Sequence, residues 1–223
     1  MVPRILIDSA VVPGGGALRL FQRGADFSIM LGPNELMNSR LSGSEEALAA
    51  LACERLCGVA APRMLIGGLG MGFTLRAALA ALGTGAAVTV AELVPAVVAW
   101  ARGPMAGVMG SCLEDPRVAV VEEDVAALIG AERGAWDAIL LDVDNGPDGL
   151  TRSGNNRLYS AKGLDTARAA LRPGGILAIW SASPDRMFAR RLGEAGLMVE
   201  EIATRARAGG KGARHIIWLA TRA

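Results

Sequence analysis

Short apolar runs alternate with helix-periodic segments over most of the chain, from Arg63 to the C-terminus. The runs are "RMLIGG", "AAVTVAEL", "RVAVVEED", "WDAILLDVD" and "GILAIWSA". The segments that follow them are "FTLRAALAAL", "PAVVAWAR", "VAALIG", "AKGLDTARAAL" and "PDRMFARRLGEAG". Continuously apolar strands that alternate with helices predict a mostly parallel sheet covered by helices on both faces. The last two apolar segments, "LMVEEIATRA" and "RHIIWLATR", predict an antiparallel pair that closes this sheet.

The first 41 residues have a different pattern. "RILIDSAVV" and "ALRLFQRGADFSIML" show partial alternation, and "PGGG" and "RGAD" between and within them are typical of turns. We therefore expect a small β-rich segment over residues 1–41 and an α/β domain over residues 42–223. The first helix of that domain is predicted from Glu45 to Cys57, with Ser42 or Ser44 at its N-cap.

Composition narrows the class of protein. Of 223 residues, 52% are apolar and 4% aromatic, and 23 Lys and Arg balance 22 Asp and Glu, so we expect no nucleic-acid partner. We expect no membrane partner, because no run of about 18 uninterrupted apolar residues exists and the N-terminus lacks a signal-peptide pattern. Three cysteines make no disulfide framework, so they are predicted to pack as small apolar groups in a cytoplasmic protein.

A glycine-rich turn follows the first strand of the α/β domain. It carries Gly67, Gly68, Gly70 and Gly72, and a helical segment begins immediately after it. In such sheets a ligand binds beyond the carboxyl ends of the strands, and a helix N-terminus offers unpaired N–H groups to it. The alternative interpretation is that these glycines only allow close packing of helix against strand.

Acidic residues end the next two strands. Glu92 follows Gly72 by 20 residues, a spacing suited to hydrogen bonds with ribose hydroxyls. Asp124 ends the third strand, where it is placed to contact a base, to cap "VAALIG", or to do both. In a dinucleotide-type G-x-G-x-x-G counted from Gly68, the last position is Phe73, so G-x-G-x-G favours an S-adenosyl nucleoside.

In order, "LIGGLGMGFTLRAAL", "VTVAELVPAVVAWAR", "VVEEDV", "WDAILLDVDNGP" and "LRPGGILAIW" resemble the motifs of spermidine synthases and related aminopropyltransferases. The resemblance covers roughly residues 29–180. It implies the class I methyltransferase fold, which is Rossmann-like, with a small N-terminal β-domain. It also implies S-adenosylmethionine or its decarboxylated form as donor, a small or amine-bearing acceptor, and a homodimer. We expect no metal, because Cys53 and Cys57 lack two further ligands and the only histidine, His215, lies far away in sequence.

The chain departs from that family's pattern at four places. The family's G-G-G-D-G-G loop is "GGLGMG" here, which puts Gly70 where an aspartate holds the amine of the decarboxylated donor. Its D-S-S-D-P is "DVDNGP", and its L-D-G-x-x-Q is "LGPNEL", with Leu36 at the glutamine position. The stretch that corresponds to its polyamine-holding Tyr-His pair is "SGSEEALAAL".

Candidate catalytic residues follow the fourth strand. Asp142 matches the first aspartate of the family motif and is placed to take a proton from an amine acceptor. Asp144 and Asn145 approximate the second aspartate of that motif. Tyr159 lies with Asn155 and Asn156 in the loop "DGLTRSGNNRLYS", and we expect this loop to close over an acceptor. His215, the only histidine, is predicted to pack on a late strand.

Three functions remain open at this point: methyl transfer, aminopropyl transfer, and nucleoside binding without catalysis. Gly70 removes the aspartate that would repel the carboxylate of intact S-adenosylmethionine. A helix N-terminus at that spot favours an anion by roughly 0.3–1 kcal/mol. We therefore expect the intact donor to bind at least as well as the decarboxylated one, which favours methyl transfer to a small or amine-bearing acceptor.

Overall fold

Four antiparallel strands form a sheet at the N-terminus of the protein. The computed structural model describes residues 2–12, 15–143, 157–207 and 211–223, and structural statements below refer to these. The strands are β1 (Ile5–Val11), β2 (Ala17–Arg23), β3 (Asp26–Leu31) and β4 (Asn34–Asn38), paired in chain order. The small N-terminal β-unit predicted from the sequence is thus present.

The remaining seven strands form one sheet of mixed direction. They are β5 (Arg63–Gly67), β6 (Ala87–Ala91), β7 (Val118–Val121), β8 (Trp136–Leu141), β9 (Leu171–Ser181), β10 (Leu197–Arg207) and β11 (Lys211–Arg222). Their order is β10-β11-β9-β8-β5-β6-β7. The five strands β5 to β9 pair in parallel, and β11 runs antiparallel to both β9 and β10. The predicted parallel sheet with a closing antiparallel pair is confirmed.

Helices cover both faces of this sheet. They are α1 (Gly43–Arg55), α2 (Phe73–Ala81), α3 (Pro95–Arg102), α4 (Ala106–Met109), α5 (Val125–Ala131), α6 (Ala161–Ala170) and α7 (Arg186–Glu194). Because neighbouring side chains in a strand point to opposite faces, Ile66 and Leu140 pack in one apolar cluster with residues of α1, α2 and α3. Leu65 and Ile139 pack in the other, with residues of α5, α6 and α7.

Local differences from the sequence prediction are small. The short α4 and a 3-10 helix at Cys112–Glu114 were not predicted, and β9 begins at Leu171, so it takes in "RPGG". Ser42 stands at the N-cap of α1, but its side chain makes no capping hydrogen bond. Of the cysteines, Cys112 is buried as expected, whereas Cys53 is only partly buried and Cys57 is exposed.

The N-terminal sheet packs into the same apolar cluster as α1, α2 and α3. Leu18, Leu20, Phe27 and Ile29 of β2 and β3 belong to this cluster and are buried. Trp100 of α3 adds a polar contact, since its Nε1 donates to Asp8 Oδ2 of β1 at 2.7 Å. The proposed division at residue 41 stays a prediction, because the two sheets share this core.

The order of the strands fixes where a ligand site can form. β5 lies between β6 and β8, so the chain leaves β5 towards one side of the sheet and later returns on the other. Such a switch point opens a crevice at the carboxyl ends of the strands. In the described part of the chain, none of the helices has both the length and the apolarity needed to span a bilayer.

The shared core predicts how the N-terminal sheet unfolds. Leu20→Ala removes a side chain that is 0% exposed and should lower the free energy of unfolding by about 2–5 kcal/mol, with one cooperative transition. Ile5→Ala, at a side chain that is 56% exposed, is the matched control and should change it by about 0.5 kcal/mol or less. Denaturant titration with tryptophan fluorescence and circular dichroism measures both. Two separate transitions in Leu20→Ala would show that the sheet folds independently.

Candidate functional site

The glycine turn between β5 and α2 requires glycine for backbone geometry and for space. Gly68, Gly70 and Gly72 have φ angles of +87°, +50° and +74°, in the left-handed region that favours glycine. A Cβ on Gly68 would lie 2.7 Å from the main-chain oxygen of Asp142, at the end of β8. Gly67 sits against Val125, where a Cβ would lie 3.1 Å from a side-chain methyl group. The turn is therefore built for close approach of the ends of β5 and β8.

Glu92 ties this turn to the end of β6. Its Oε2 accepts from the main-chain N–H of Leu69 at 3.0 Å, and its Oε1 accepts from that of Val94 at 2.9 Å. The side chain is 8% exposed, and burial raises the pKa of its carboxyl. Each carboxylate oxygen has a second lone pair, so Glu92 can still accept hydrogen bonds from a ligand beside it.

Asp124 fills the capping role that the sequence allowed. Its Oδ1 accepts from the main-chain N–H of Ala126 at 2.9 Å, which caps α5. The residue is exposed and also lines the crevice at the strand ends. The two predicted roles of Asp124 are thus compatible in one position.

A long cleft runs across these strand ends. Its sheet side is lined by Gly68, Gly70, Glu92, Asp124 and Asp142. Its other wall comes from the N-terminal sheet and the residues joining its strands, through Val12, Leu18, Leu31, Leu36 and Met37. The long cleft therefore has a polar floor and an apolar wall, and the N-terminal sheet is part of it.

A second pocket, called the acid pocket below, opens beside the long cleft. It contains two carboxylates, Asp142 and Glu45, and shares Gly70, Leu36 and Met37 with the cleft. Thr74 of α2 donates from Oγ1 to Asp142 Oδ2 at 2.7 Å. Burial, and then the nearby Glu45 carboxylate, raise the pKa of Asp142 to about 7.

Glu45 lies in the first turn of α1 and lines the acid pocket from there. Its Oε2 accepts from Ser44 Oγ at 2.7 Å. Burial raises the pKa of Glu45, and the negative charge of Glu46 adds to this shift, while the Ser44 hydrogen bond opposes it. Two acids with raised pKa values in one pocket are a group that binds protons or a cation.

Aromatic side chains complete the acid pocket. Phe73 and Trp180 line it, and both are nine-tenths buried. The indole Nε1 of Trp180 is buried and has no hydrogen-bond partner among the residues that the structure describes. The acid pocket therefore combines two carboxylates with an apolar wall.

The structure places the predicted catalytic residues in different surroundings. Asp142 lies at the junction of the two pockets. Tyr159 instead packs in the core, where it is 2% exposed, contacts the Phe188 ring edge-on at 5.6 Å and donates to the Val143 main-chain oxygen at 3.4 Å. The expectation that Tyr159 faces an acceptor is at odds with this placement. Asp144, Asn145, Asn155 and Asn156 lie outside the described residues.

Three residues of the acid pocket were not predicted as site residues: Glu45, Thr74 and Trp180. The sequence predicts Glu45 only as the start of a helix, although it stands in "SGSEEALAAL", the stretch that corresponds to the polyamine-holding Tyr-His pair of spermidine synthases. Trp180 lies near the carboxyl end of β9, beside β8 in the sheet, where the strand-end rule gives a usable signal. Nothing in the sequence marks Thr74 as a site residue, since a threonine at the second position of a helix is ordinary.

Sequence comparison finds polyamine aminopropyltransferases. Polyamine aminopropyltransferase 1 of Streptomyces coelicolor is 34% identical over 123 residues, which are 54% of this chain and 22% of that protein. The polyamine aminopropyltransferase of Mycobacterium tuberculosis is 35% identical over 99 residues, 42% of this chain and 18% of that protein. The chain matches only about a fifth of the length of these curated relatives. No protein-family model matches it.

Structure comparison extends the likeness to nearly the whole chain. Spermidine synthase from Thermotoga maritima superposes with a TM-score of 0.77 at 17% identity, over 98% of this chain and 73% of that one. A spermidine synthase in complex with the transition-state analogue AdoDATO gives the same score at 16% identity, over 98% and 72%. The chain has a spermidine synthase-like fold.

A methyltransferase shares a smaller part of this architecture. The 1,6-didemethyltoxoflavin-N1-methyltransferase of Burkholderia thailandensis, bound to 1,6-didemethyltoxoflavin and S-adenosylhomocysteine, superposes with a TM-score of 0.56 at 19% identity, over 81% of this chain and 79% of that one. The predicted class I methyltransferase architecture with an added N-terminal β-sheet is therefore confirmed.

The close approach of Gly68 to β8 predicts the effect of a single methyl group there. Gly68→Ala should displace the Asp142 main chain, lower the free energy of unfolding by about 1–3 kcal/mol, and distort both pockets. Gly134→Ala is the matched control, because Gly134 also has a positive φ of +59° but nothing within 4 Å of an added Cβ. Chemical denaturation measures the difference between them. Equal stability of the two variants would contradict the close approach.

Proposed function

We propose that this spermidine synthase-like chain is a transferase that moves an aminopropyl group from decarboxylated S-adenosylmethionine to an amine acceptor. The observation that carries the proposal is the pair of carboxylates, Asp142 and Glu45, in a pocket that shares Gly70 with the long cleft. A buried acidic pair is suited to an ammonium group. The sequence similarity to polyamine aminopropyltransferases supports the same conclusion.

The long cleft fits the nucleoside of such a donor. Glu92 is buried, rigidly held by two main-chain N–H groups and able to accept from ribose hydroxyls. Val97 and Val125 provide apolar contact for a base, and Asp124 lies at the same end of the cleft. Gly68 and Gly70 leave the main chain open to close approach by the ligand.

The charges in the acid pocket favour one of the two forms of donor over the other. The donor tail, extending past Gly70, enters the space lined by Asp142 and Glu45. The N-terminus of α2 favours a carboxylate there by about 0.3–1 kcal/mol. Two like unit charges about 4 Å apart repel by about 4 kcal/mol at an effective dielectric constant of about 20. Repulsion therefore exceeds the helix effect, and a tail that carries only an amine is favoured.

The residues of the acid pocket then serve the acceptor. A sulfonium donor supplies an electrophilic carbon, and transfer requires an acceptor amine that has lost its extra proton. Asp142 is placed to take that proton, and its pKa of about 7 matches a general base that works near neutral pH. Thr74 fixes the Asp142 carboxyl, Glu45 attracts the cationic acceptor, and Phe73 and Trp180 exclude water.

Methyl transfer is the second candidate, and one observation favours it. Gly70 offers no carboxylate to a donor amine, as the sequence already indicated. This feature competes with the repulsion from Asp142 and Glu45, so the choice of donor is the decisive experiment.

A transfer assay with both donors and a panel of α,ω-diamines tests the proposal. We expect aminopropyl product from the decarboxylated donor, and a kcat that rises as the pH rises through about 7, because only ionised Asp142 accepts a proton. Asp142→Asn should keep nucleoside affinity, lose about 10²–10⁴-fold in kcat and lose this pH dependence. Asp165→Asn, at an exposed position on α6, is the matched control and should behave like the unmodified protein.

Three results would contradict this account. Methylated product alone would replace aminopropyl transfer by methyl transfer. Full activity in Asp142→Asn would show that positioning alone suffices. Failure of both donors to bind in calorimetry would leave a chain with this fold but without an S-adenosyl ligand.

A further inference from the structure

A chain of hydrogen bonds leads out of the acid pocket to the only histidine of the protein. Ser44 is 0% exposed, and its Oγ lies 2.7 Å from Glu45 Oε2 and 2.9 Å from His215 Nδ1. Ser44 and Glu45 lie in the first turn of α1, whereas His215 comes from β11, at the other end of the sequence. The sequence prediction that His215 simply packs on a late strand is therefore incomplete.

Donor and acceptor capacity fixes the direction of these bonds. A serine hydroxyl has one proton, and an ionised carboxylate only accepts, so Ser44 gives its proton to Glu45. The Ser44 oxygen then accepts, and His215 must donate from Nδ1–H. Burial lowers the pKa of His215, which favours the neutral imidazole, and the hydrogen bond to Ser44 places its single proton on Nδ1.

The rest of the surroundings hold the imidazole in place. The Trp180 ring contacts it edge-on, with 4.7 Å between ring centroids, and Trp180 itself lines the acid pocket. The N-cap of α1 is Ser42, so the Ser44 hydroxyl is directed to Glu45 and His215 rather than to the helix end. The fully buried Ser44 hydroxyl thus links His215 to a carboxylate of the acid pocket through hydrogen bonds.

We propose that His215 is a positioning residue, which acts through Ser44 to hold the Glu45 carboxylate in the orientation that meets the acceptor amine. Glu45 is then the residue that recognises the acceptor, separate from Asp142, which takes the proton. This inference rests on the proposed function for the nature of the acceptor. The hydrogen-bond chain itself belongs to the protein without ligand, and it is testable without any transfer reaction.

The first test is nuclear magnetic resonance of the imidazole nitrogens. Since the protein has one histidine, the spectrum of a ¹⁵N-labelled sample belongs to His215 without further assignment. We expect the Nδ1–H tautomer at neutral pH, and loss of that preference in Ser44→Ala, which removes the acceptor of the proton. A spectrum dominated by the Nε2–H tautomer, or one unchanged in Ser44→Ala, would overturn the proposal whatever the protein catalyses.

The second test separates positioning from folding. His215→Leu removes the hydrogen-bond donor to Ser44. We expect the acceptor KM to rise by about tenfold, because a hydrogen-bonded contact to a charged group is weakened, while the affinity for the nucleoside donor stays within about twofold. His215→Asn keeps an N–H donor near the position of Nδ1 and should recover most of the loss. Equal weakening of donor and acceptor, or no recovery in His215→Asn, would reduce His215 to a structural residue.

These outcomes differ from failure of the proposed function. If the unmodified protein transfers nothing from either donor, the transferase proposal fails, and the tautomer of His215 still decides whether the chain to Glu45 exists. If transfer occurs and His215→Leu has no effect on the acceptor KM, the transferase proposal stands and the positioning role fails.

Discussion

Two carboxylates enclosed in one pocket are the constraint on which this site depends. Asp142 and Glu45 repel each other and lose water of hydration, and the hydrogen bonds from Thr74 and Ser44 offset this only in part. The pKa of Asp142 is consequently raised to about 7, so its carboxyl is about half protonated at neutral pH. A cation in the pocket relieves the repulsion, which makes an amine the natural ligand.

The fold brings these two acids together from distant parts of the chain. Asp142 stands at the end of β8, next to the strand that leads into the glycine turn, because the strand order reverses there. Glu45 lies in the first turn of α1, which packs against α2 and joins the N-terminal sheet to the rest of the core. The same packing places Leu36 and Met37 in the lining of both pockets. The N-terminal sheet therefore shapes the site as well as covering it.

The sequence predicted those features that depend on neighbouring residues or on a periodic pattern. Continuously apolar strands gave the parallel sheet, and the strand-end rule placed the glycine turn, Glu92, Asp124 and Asp142 on one cleft. The acid pocket brings Glu45 and Asp142 together from distant parts of the sequence, and this juxtaposition has no local signal. Tyr159 shows the opposite kind of error. A tyrosine in a long polar loop suggests an exposed side chain, yet its ring packs against Phe188.

The most direct test of the acidic pair is calorimetry of 1,4-diaminobutane binding at pH 7, in the presence of the product nucleoside, in two buffers with different ionisation enthalpies. Because Asp142 has a pKa of about 7 and an ammonium favours its ionised form, the account predicts binding with net release of up to about half a proton per molecule. Binding without proton release, or no binding at all, would contradict the claim that Asp142 and Glu45 form an amine site.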